Sequence, residues 1–398
     1  MQKKYRLKNG FLCALLRAAL LTGISFASVF ALSFESIPDS VAIREGRSAA
    51  GTESFLVNYR LDPTCDGGTA CLGAEASIVG IPVKRVSVDV YDDSFRLCPG
   101  GQTFGIKMNT KGVVVIGTGE VETSSGKKTP AADAGLRSGD IIYSADDKEI
   151  KDINDFTALI SSSDREVGLK VGRGGDTLTI KLKPVKSADD GFYRAGIWLR
   201  DSTAGIGTVT YINTDDMTFG GLGHCVCDSE TGTLLPLGNG TVFPVTVSGI
   251  VKGESGSPGE LKGYFGAGKS GVITSNTPTG VYGILASGTE SFADGIPIAL
   301  ESEIKNGDAY IRCTLDDGVT REYGVKIEKN SSQGAEKNMT HKVTDETLLE
   351  KTGGIVQGMS GSPIIQNGRL IGAVTHVLIN DPTTGYGIYI ENMLRSAS

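Results

Sequence analysis

The residues of this sequence that are best suited to covalent chemistry form the run Gly358-Met359-Ser360-Gly361-Ser362-Pro363. A serine acts as a nucleophile when its hydroxyl stands on a tight turn, beside backbone N–H groups that can receive an oxyanion. The two glycines permit such a turn, and they allow the N–H groups of Gly358 and Ser360 to point into one hole. The run therefore predicts acyl-transfer chemistry at Ser360.

A nucleophilic serine needs a base, and the sequence contains only three histidines: His224, His341 and His376. His224 follows the glycine-rich stretch Phe219-Gly220-Gly221-Leu222-Gly223, which leaves room around an imidazole. It also precedes the serine in the chain, as the base does in the chymotrypsin-like fold. We predict His224 as the base.

A second run, Gly253-Glu254-Ser255-Gly256-Ser257-Pro258, fits the same short pattern. A polar, glycine-rich loop follows it. Ser360 is followed instead by two strand-like runs, 370–375 and 385–390, that suit the walls of a substrate cleft. We therefore expect Ser360 to be the nucleophile, with Ser255, or no nucleophile at all, as the alternatives.

The acid of a triad cannot be chosen from composition. Six aspartates lie between the base and the nucleophile: Asp228, Asp294, Asp308, Asp316, Asp317 and Asp345.

Thr375 and His376 lie on the predicted cleft strand, and we expect them to shape the substrate pocket. Strand alternation places His376 on the face opposite Thr375 and Val377. A neutral imidazole facing the pocket can donate a hydrogen bond to Gln or Glu at the cleaved position. The alternative is a buried strand histidine bonded to backbone.

These residues belong to a chain of 398 residues with 55 glycines, 39% hydrophobic and 21% charged residues, a composition that indicates a folded protein. Strand-length apolar runs recur across residues 190–398, and no helical period there is long. We predict a mainly β protein whose peptidase-like domain, residues 190–398, is a chymotrypsin-like double β-barrel. The net charge of −7 and the lack of a basic domain argue against nucleic acid as a partner.

Residues 101–186 resemble a PDZ domain. The resemblance rests on the run 129–142, in which a short helix opening at Pro130 leads into Gly139-Asp140-Ile141-Ile142, and on helical spacing from Ile153 to Ile160. PDZ domains bind peptide C-termini or extended segments by strand addition, and the groove is expected at Phe104, Gly105 and Ile106. A small β-domain without a ligand is the alternative.

The first 34 residues combine a basic start with an apolar stretch up to Phe34, which predicts a signal peptide or a membrane anchor. Positive charge on the cytoplasmic side places the remainder outside the synthesising cytoplasm. Residues 35–100 read as a linker or N-terminal region. A strand is predicted within them, from Ile81 to Tyr91.

Seven cysteines are present, and one of them, Cys13, falls in the export segment. The other six permit disulfides, although spacing does not fix their pairing: Cys65, Cys71, Cys98, Cys225, Cys227 and Cys313. His224-Cys225-x-Cys227 is half of a zinc pattern without its second half, so we expect no metal and no cofactor.

From about residue 95 onwards the chain resembles the SpoIVB peptidase family. The matching motifs are Pro99-Gly100-Gly101-Gln102, the run 200–208, Gly223-His224, the run 351–368 and the run 372–377. The resemblance places the catalytic base on His224, the nucleophile on Ser360 and the acid on Asp345, with Asp294 as second choice. Asp345 lies closer to the serine than the acid does in ordinary chymotrypsin-like proteases. Cys98, Cys225 and Cys227 depart from the family pattern.

The resemblance also implies a biological role. The family acts after export from the forespore into the space between two membranes, where its members cleave themselves and a membrane-bound regulator of an intramembrane metalloprotease. That cleavage releases processing of a mother-cell sigma factor. The rival interpretations are a non-catalytic PDZ scaffold for membrane partners and a structural or pore-forming protein of the spore envelope.

Overall fold

The computed structural model describes residues 21–45 except 23, 26 and 36, and then residues 56–61, 72–286, 294–330 and 337–397. The basic start of the chain and Cys13, Cys65 and Cys71 lie outside these residues, so the expectations placed on them stay predictions. The chain divides into two compact units, Met1–Phe95 and Arg96–Ser398. Within the described part, no helix has both the length and the apolar character needed to cross a bilayer.

The first unit contains helix α1, whose described residues are 21–22, 24–25 and 27–35, and strands β1 (Ser40–Arg44), β2 (Val57–Leu61), β3 (Leu72–Ile78) and β4 (Ile81–Tyr91). The strands form one sheet in the order β1-β4-β3-β2, with β1 parallel to β4 and the other neighbours antiparallel. The expectation of a linker over residues 35–100 is thereby corrected. Alternating apolar residues such as Val86 and Val88 give this sheet a face to bury. The predicted strand Ile81–Tyr91 is confirmed.

The second unit is mainly β. Its elements, in chain order, are β5 (Arg96–Pro99), β6 (Thr103–Thr118), β7 (Val121–Thr123), β8 (Gly126–Lys128), α2 (Pro130–Asp133), β9 (Ile141–Ala145), β10 (Lys148–Glu149), α3 (Ile153–Ser161), β11 (Val167–Arg173), β12 (Asp176–Leu182), β13 (Val185–Lys186), β14 (Tyr193–Arg194), β15 (Ile197–Asn213), β16 (Thr218–Gly221), β17 (Leu237–Val251), β18 (Glu260–Phe265), β19 (Gly271–Thr277), β20 (Gly280–Leu285), β21 (Ile296–Pro297), a 3-10 turn (Glu301–Glu303), β22 (Gly307–Thr314), β23 (Thr320–Lys329), β24 (Met339–Val343), α4 (Glu346–Thr352), β25 (Pro363–Gln366), β26 (Arg369–Leu378), β27 (Asp381–Tyr389) and α5 (Ile390–Ala397).

Two closed barrels form the peptidase part of this unit, which confirms the predicted double barrel. The first follows the order β6-β17-β19-β20-β16-β15, and β15 pairs back onto β6. The second follows the order β22-β23-β24-β27-β26-β25. Apolar side chains fill each interior, including Phe219 and Val281 in the first barrel and Ile311 and Val374 in the second. Closure leaves no unpaired strand edge around either ring.

The region that resembles a PDZ domain is a sheet of β12, β11, β9 and the far part of β6, with helices α2 and α3 around it. The helix predicted from Ile153 is confirmed. It begins after Asp152, whose carboxylate accepts the N–H of Asp155, and it buries Phe156 and Ile160 in the core of this sheet.

Two long strands run through both the PDZ sheet and the first barrel. Residues 104–110 of β6 pair with β17 in the barrel, whereas Val113 and Val114 pair with β9 in the PDZ sheet. Strand β15 also spans both parts, because residues 197–200 and 202–208 pair with the two halves of β6 in turn. The predicted division between residues 101–186 and 190–398 therefore cuts through a continuous sheet. Strands of 16 and 17 residues are long enough to serve two modules.

Candidate active site

Ser360 stands on a turn that only glycines can build. Gly358 and Gly361 have φ values of 98° and 94°, a region that favours glycine. A Cβ on Gly361 would lie 2.0 Å from the carbonyl oxygen of Thr208. The glycines flanking the serine thus meet both a conformational and a steric requirement, as the sequence predicted for a nucleophile turn.

Two buried threonines of β15 fix this turn by hydrogen bonds to its carbonyl groups. Thr208 donates its N–H to the Ser360 carbonyl at 2.9 Å and its hydroxyl to the Gly358 carbonyl at 2.8 Å. The Thr210 hydroxyl donates to the Gly361 carbonyl at 2.7 Å. Both threonines are fully buried. Three carbonyls of the turn are therefore fixed toward the first barrel, which fixes the peptide planes between them.

The turn leaves two N–H groups available. Met359 donates to Val356, and Gly361 donates to the carbonyl of Val374. Among the residues that the structure describes, the N–H groups of Gly358 and Ser360 meet no acceptor. These are the two predicted oxyanion donors, and the arrangement supports that role.

Strand β26 is irregular where it passes the serine. Its register against β27 shifts between Val374 and Val377, so Thr375 and His376 lie in a bulge. The bulge frees the Thr375 carbonyl, which accepts the Ser360 hydroxyl at 2.7 Å. Bulges of this kind re-aim backbone and side chains next to active sites.

His224 approaches the same bulge from the first barrel. A Cβ on the preceding residue, Gly223, would lie 3.0 Å from the Thr375 methyl carbon, so the backbone there needs a glycine. The His224 ring lies 4.8 Å from the ring of His376, centroid to centroid. Ser360 contacts Thr375 and His224 contacts His376, so the two residues meet neighbouring positions of one bulge, although they are far apart in the sequence.

The His224 ring is oriented by its own backbone neighbour. Its Nδ1 lies 2.8 Å from the carbonyl oxygen of Cys225. A carbonyl only accepts, so this contact selects the tautomer protonated on Nδ1 and leaves Nε2 as the basic nitrogen.

The structure changes the expectations for the pocket. Thr375 is 1% exposed, so it does not line an open pocket. His376 is half-buried against His224, and its Nδ1 is buried without a hydrogen-bond partner among the described residues. Burial, with smaller contributions from His224 and Lys337, lowers the pKa of His376 to about 4. The ring is therefore neutral at ordinary pH, and its neighbour in this structure is His224, the predicted base.

The structure does not bring the Asp345 carboxylate to His224. Asp345 is the N-cap of α4 and accepts the N–H of Leu348 at 3.0 Å. Burial and the charge of Asp345 raise the pKa of the Cys313 thiol, in the second barrel, to about 12. The expected contact of base and acid is thus absent between these described residues, and the carboxylate caps a helix instead.

Two other aspartates are accounted for. Asp294 is exposed and has no hydrogen bond or ion pair within the described part of the chain. Asp228 is buried, pairs with Arg200 and accepts the N–H groups of Glu230 and Thr231. Burial alone would raise its pKa, but these bonds and the arginine outweigh burial and lower it. Asp228 therefore stabilises the loop that follows His224.

Ser255 is set apart from this chemistry. Its hydroxyl is exposed and donates to the carbonyl of Asn380 at 2.9 Å, and the neighbouring Gly256 N–H donates to Ile379. The resemblance between the two serine runs is limited to the turn.

The predicted PDZ groove is wrong. Phe104, Gly105 and Ile106 are buried in the first barrel, with β15 on one side and β17 on the other, so no edge is open to a peptide. A cavity of about 450 Å³ lies elsewhere, between α3 and the start of β15. Phe156 and Ile160 line it on the helix side, and Ile197 and Trp198 on the strand side. A strand facing a helix is the geometry that peptide addition requires.

The sequence argument missed Thr208, Thr210 and the Cys225 carbonyl. Thr208 lies in the motif 200–208, but no local pattern shows that its hydroxyl meets Gly358. Only the contact between β15 and the serine turn reveals it.

Two sequence profiles of known families match parts of this chain. A sequence profile described as SpoIVB peptidase S55 matches residues 191–394, and a PDZ profile matches residues 103–183. No curated protein sequence matches the chain at a significant level.

Among solved structures, the active form of the Rv3671c protease from M. tuberculosis matches with a TM-score of 0.30 and 16% identity, over 48% of this chain and 72% of that one. The thermostable serine protease AL20 from an extremophilic microorganism matches with a TM-score of 0.30 and 12% identity, over 49% and 91%.

The peptidase profile covers just over half of the chain and includes His224, Asp345 and Ser360. With a PDZ domain preceding the peptidase domain, this chain belongs to the SpoIVB peptidase S55 family, the serine endopeptidases of sporulation.

Proposed function

We propose that this chain is an exported serine endopeptidase that cleaves itself and a membrane-bound regulator of an intramembrane metalloprotease, and so triggers sigma-factor processing in the mother cell. Membership of the family supports the pathway. The single observation that supports the chemistry is the Ser360 turn, which keeps two N–H groups without acceptors among the described residues, at the bulge that His224 also approaches.

The proposed reaction begins with the base. Nε2 of His224 takes the hydroxyl proton of Ser360 as Oγ attacks the scissile carbonyl, and then returns it to the leaving amine. In the resting arrangement the Cys225 carbonyl accepts the Nδ1 proton and so keeps Nε2 free to act as the base. The N–H groups of Gly358 and Ser360 receive the oxyanion, an effect typically worth about 3–4 kcal/mol per donor.

Attack requires one small rearrangement. The Ser360 hydroxyl donates its one proton to the Thr375 carbonyl in this structure, so it does not donate to His224. Rotation about the Cα–Cβ bond of Ser360 exchanges that bond for one to Nε2. The site is thus described in a resting arrangement, which substrate binding converts to the reactive one.

The acid role of Asp345 is part of the proposal on the family resemblance. In the resting arrangement its carboxylate stabilises α4 through the bond to Leu348. In that arrangement the hydrogen bond from Nδ1 of His224 to the Cys225 carbonyl orients the imidazole ring.

We place the enzyme outside the synthesising cytoplasm, on the basis of the basic and apolar N-terminal segment, which stays attached as an anchor or is removed. The cavity beside α3 is the proposed site for peptide C-termini or extended segments of protein partners, including the membrane-bound regulator. Its lining by Phe156 and Ile160 favours an apolar side chain on the bound segment.

A fluorophosphonate probe tests the catalytic proposal on the full-length chain. We expect labelling and self-cleavage in the wild type and in Ser255→Ala, and neither in Ser360→Ala, because loss of a triad member costs several orders of magnitude in rate. Labelling that survives Ser360→Ala would contradict the assignment. A wild type that binds peptides but is never labelled would favour the non-catalytic scaffold.

A further inference from the structure

Two thiols follow His224 directly in the chain and lie against each other. The Sγ atoms of Cys225 and Cys227 are 3.0 Å apart. A disulfide bond is about 2.05 Å long, so an approach of about 1 Å separates this pair from a covalent bond. Both residues are half-buried, which leaves them accessible to a small reagent.

Hydrogen bonds fix the backbone between the two cysteines. Asn276 of β19 accepts the N–H of Val226 at 2.8 Å and donates to its carbonyl at 2.9 Å. Cys227 also forms an isolated bridge with Leu234. The residue between the two cysteines is therefore fixed, and the close approach of the two sulfurs is built into the loop.

The same loop positions the base, since the Cys225 carbonyl meets Nδ1 of His224. We propose that Cys225 and Cys227 form a dithiol–disulfide couple, a redox modification site that controls the orientation of His224. The effect on turnover rests on the proposed peptidase function, whereas formation of the disulfide does not.

The reaction needs a low-molecular-weight disulfide such as oxidised glutathione. One cysteine thiolate attacks it, breaks its S–S bond, forms a mixed disulfide and releases one thiol. The second cysteine attacks the mixed disulfide, closes the Cys225–Cys227 bond and releases a second thiol. The protein pair loses two electrons, the glutathione disulfide gains them, and the two cysteine protons pass to the released thiols.

Closure moves the carbonyl on which His224 depends. Because Asn276 holds Val226, Cys225 and Cys227 themselves take up the approach of about 1 Å. A displacement of up to that size at a catalytic group costs as much as about a hundredfold in rate. Cys98 and Cys313 offer an internal comparison, because they are 4% and 0% exposed. Burial raises the pKa of the Cys313 thiol to about 12, which keeps it unreactive.

The test uses the full-length chain, equilibrated with reduced dithiothreitol or with oxidised glutathione and then alkylated and digested. We expect the oxidised sample to yield a peptide carrying Cys225 and Cys227 that is lighter by two hydrogens and unalkylated. Fluorophosphonate labelling should fall about tenfold to a hundredfold on oxidation and return with dithiothreitol.

The double variant Cys225→Ser/Cys227→Ser is the matched control, because it keeps the backbone carbonyl at position 225 and removes both thiols, so neither the internal bond nor a glutathione adduct forms there. Its labelling should not depend on the redox buffer, and Cys225→Ala/Cys227→Ala provides the same readout if the first variant fails to fold. A glutathione adduct in place of the internal bond, or equal labelling of the reduced and disulfide forms, would overturn the proposal. If the protein forms the disulfide on oxidation but is not labelled even when it is reduced, the result would instead refute the proposed function.

Discussion

Thr208 offers the sharpest test of how the serine turn is held. Its hydroxyl donates to the Gly358 carbonyl, in the peptide plane between the two planes that carry the proposed oxyanion donors. Thr208→Val keeps the shape of the side chain and leaves that carbonyl without its donor. A buried acceptor left unpaired costs about 1–3 kcal/mol.

The plane can avoid that cost by rotating, which carries the Gly358 and Ser360 N–H groups out of alignment. Because about 1.4 kcal/mol corresponds to a tenfold rate change, we expect turnover to fall about tenfold to a hundredfold. The loss should appear in kcat, with KM little changed, since oxyanion contacts are made in the transition state. The rates of fluorophosphonate labelling and self-cleavage measure the loss of activity, and urea unfolding measures the loss of stability.

Thr210→Val is the matched control. It removes an equivalent buried hydroxyl bond, to the Gly361 carbonyl, which lies outside the pair of donor planes. We expect a similar loss of stability and a much smaller loss of labelling rate. Equal rate losses in the two variants would refute the positioning role of Thr208 and reduce both threonines to structural contacts.

Three further outcomes are expected. Asp345→Asn should keep the cap of α4, because asparagine caps a helix as well as aspartate does. It should lower turnover far more than Asp294→Asn. If Asp345→Asn changes neither turnover nor unfolding, Asp345 is a helix cap only. His376→Ala should lower the labelling rate through the His224 ring without changing side-chain preference in a peptide library, and a changed preference would restore the pocket role. Burial lowers the pKa of His341 to about 4, so its unfolded form binds the proton first and stability should fall as pH drops from 6.5 to 4, by about 3 kcal/mol at pH 4. His341→Leu should flatten the urea-unfolding profile in that pH range, and an unaltered profile would contradict the assignment.

Local pattern determined much of this protein. The glycine-serine-glycine run predicted the Ser360 turn because a left-handed backbone beside a nucleophile requires glycine, and the structure shows that backbone. Alternation of apolar residues predicted strands such as Ile81–Tyr91, and helical spacing predicted the helix that begins at Ile153. These features depend on residues that are close in the chain, so the sequence displays them directly.

The tertiary structure decided which distant groups meet. The hydroxyl of Thr208 reaches Gly358, 150 positions away, because one strand of 17 residues runs from the PDZ sheet into the first barrel. The same long strands bury Phe104–Ile106 between two neighbours and leave the open edge at residues 197–200, which no local pattern distinguishes. Asp345 caps α4 through the nearby Leu348 N–H, which is a local contact, whereas a contact with the distant His224 depends on the tertiary structure. Strand register and barrel closure are set by the sum of contacts around each ring, so they appear only when the whole chain is folded.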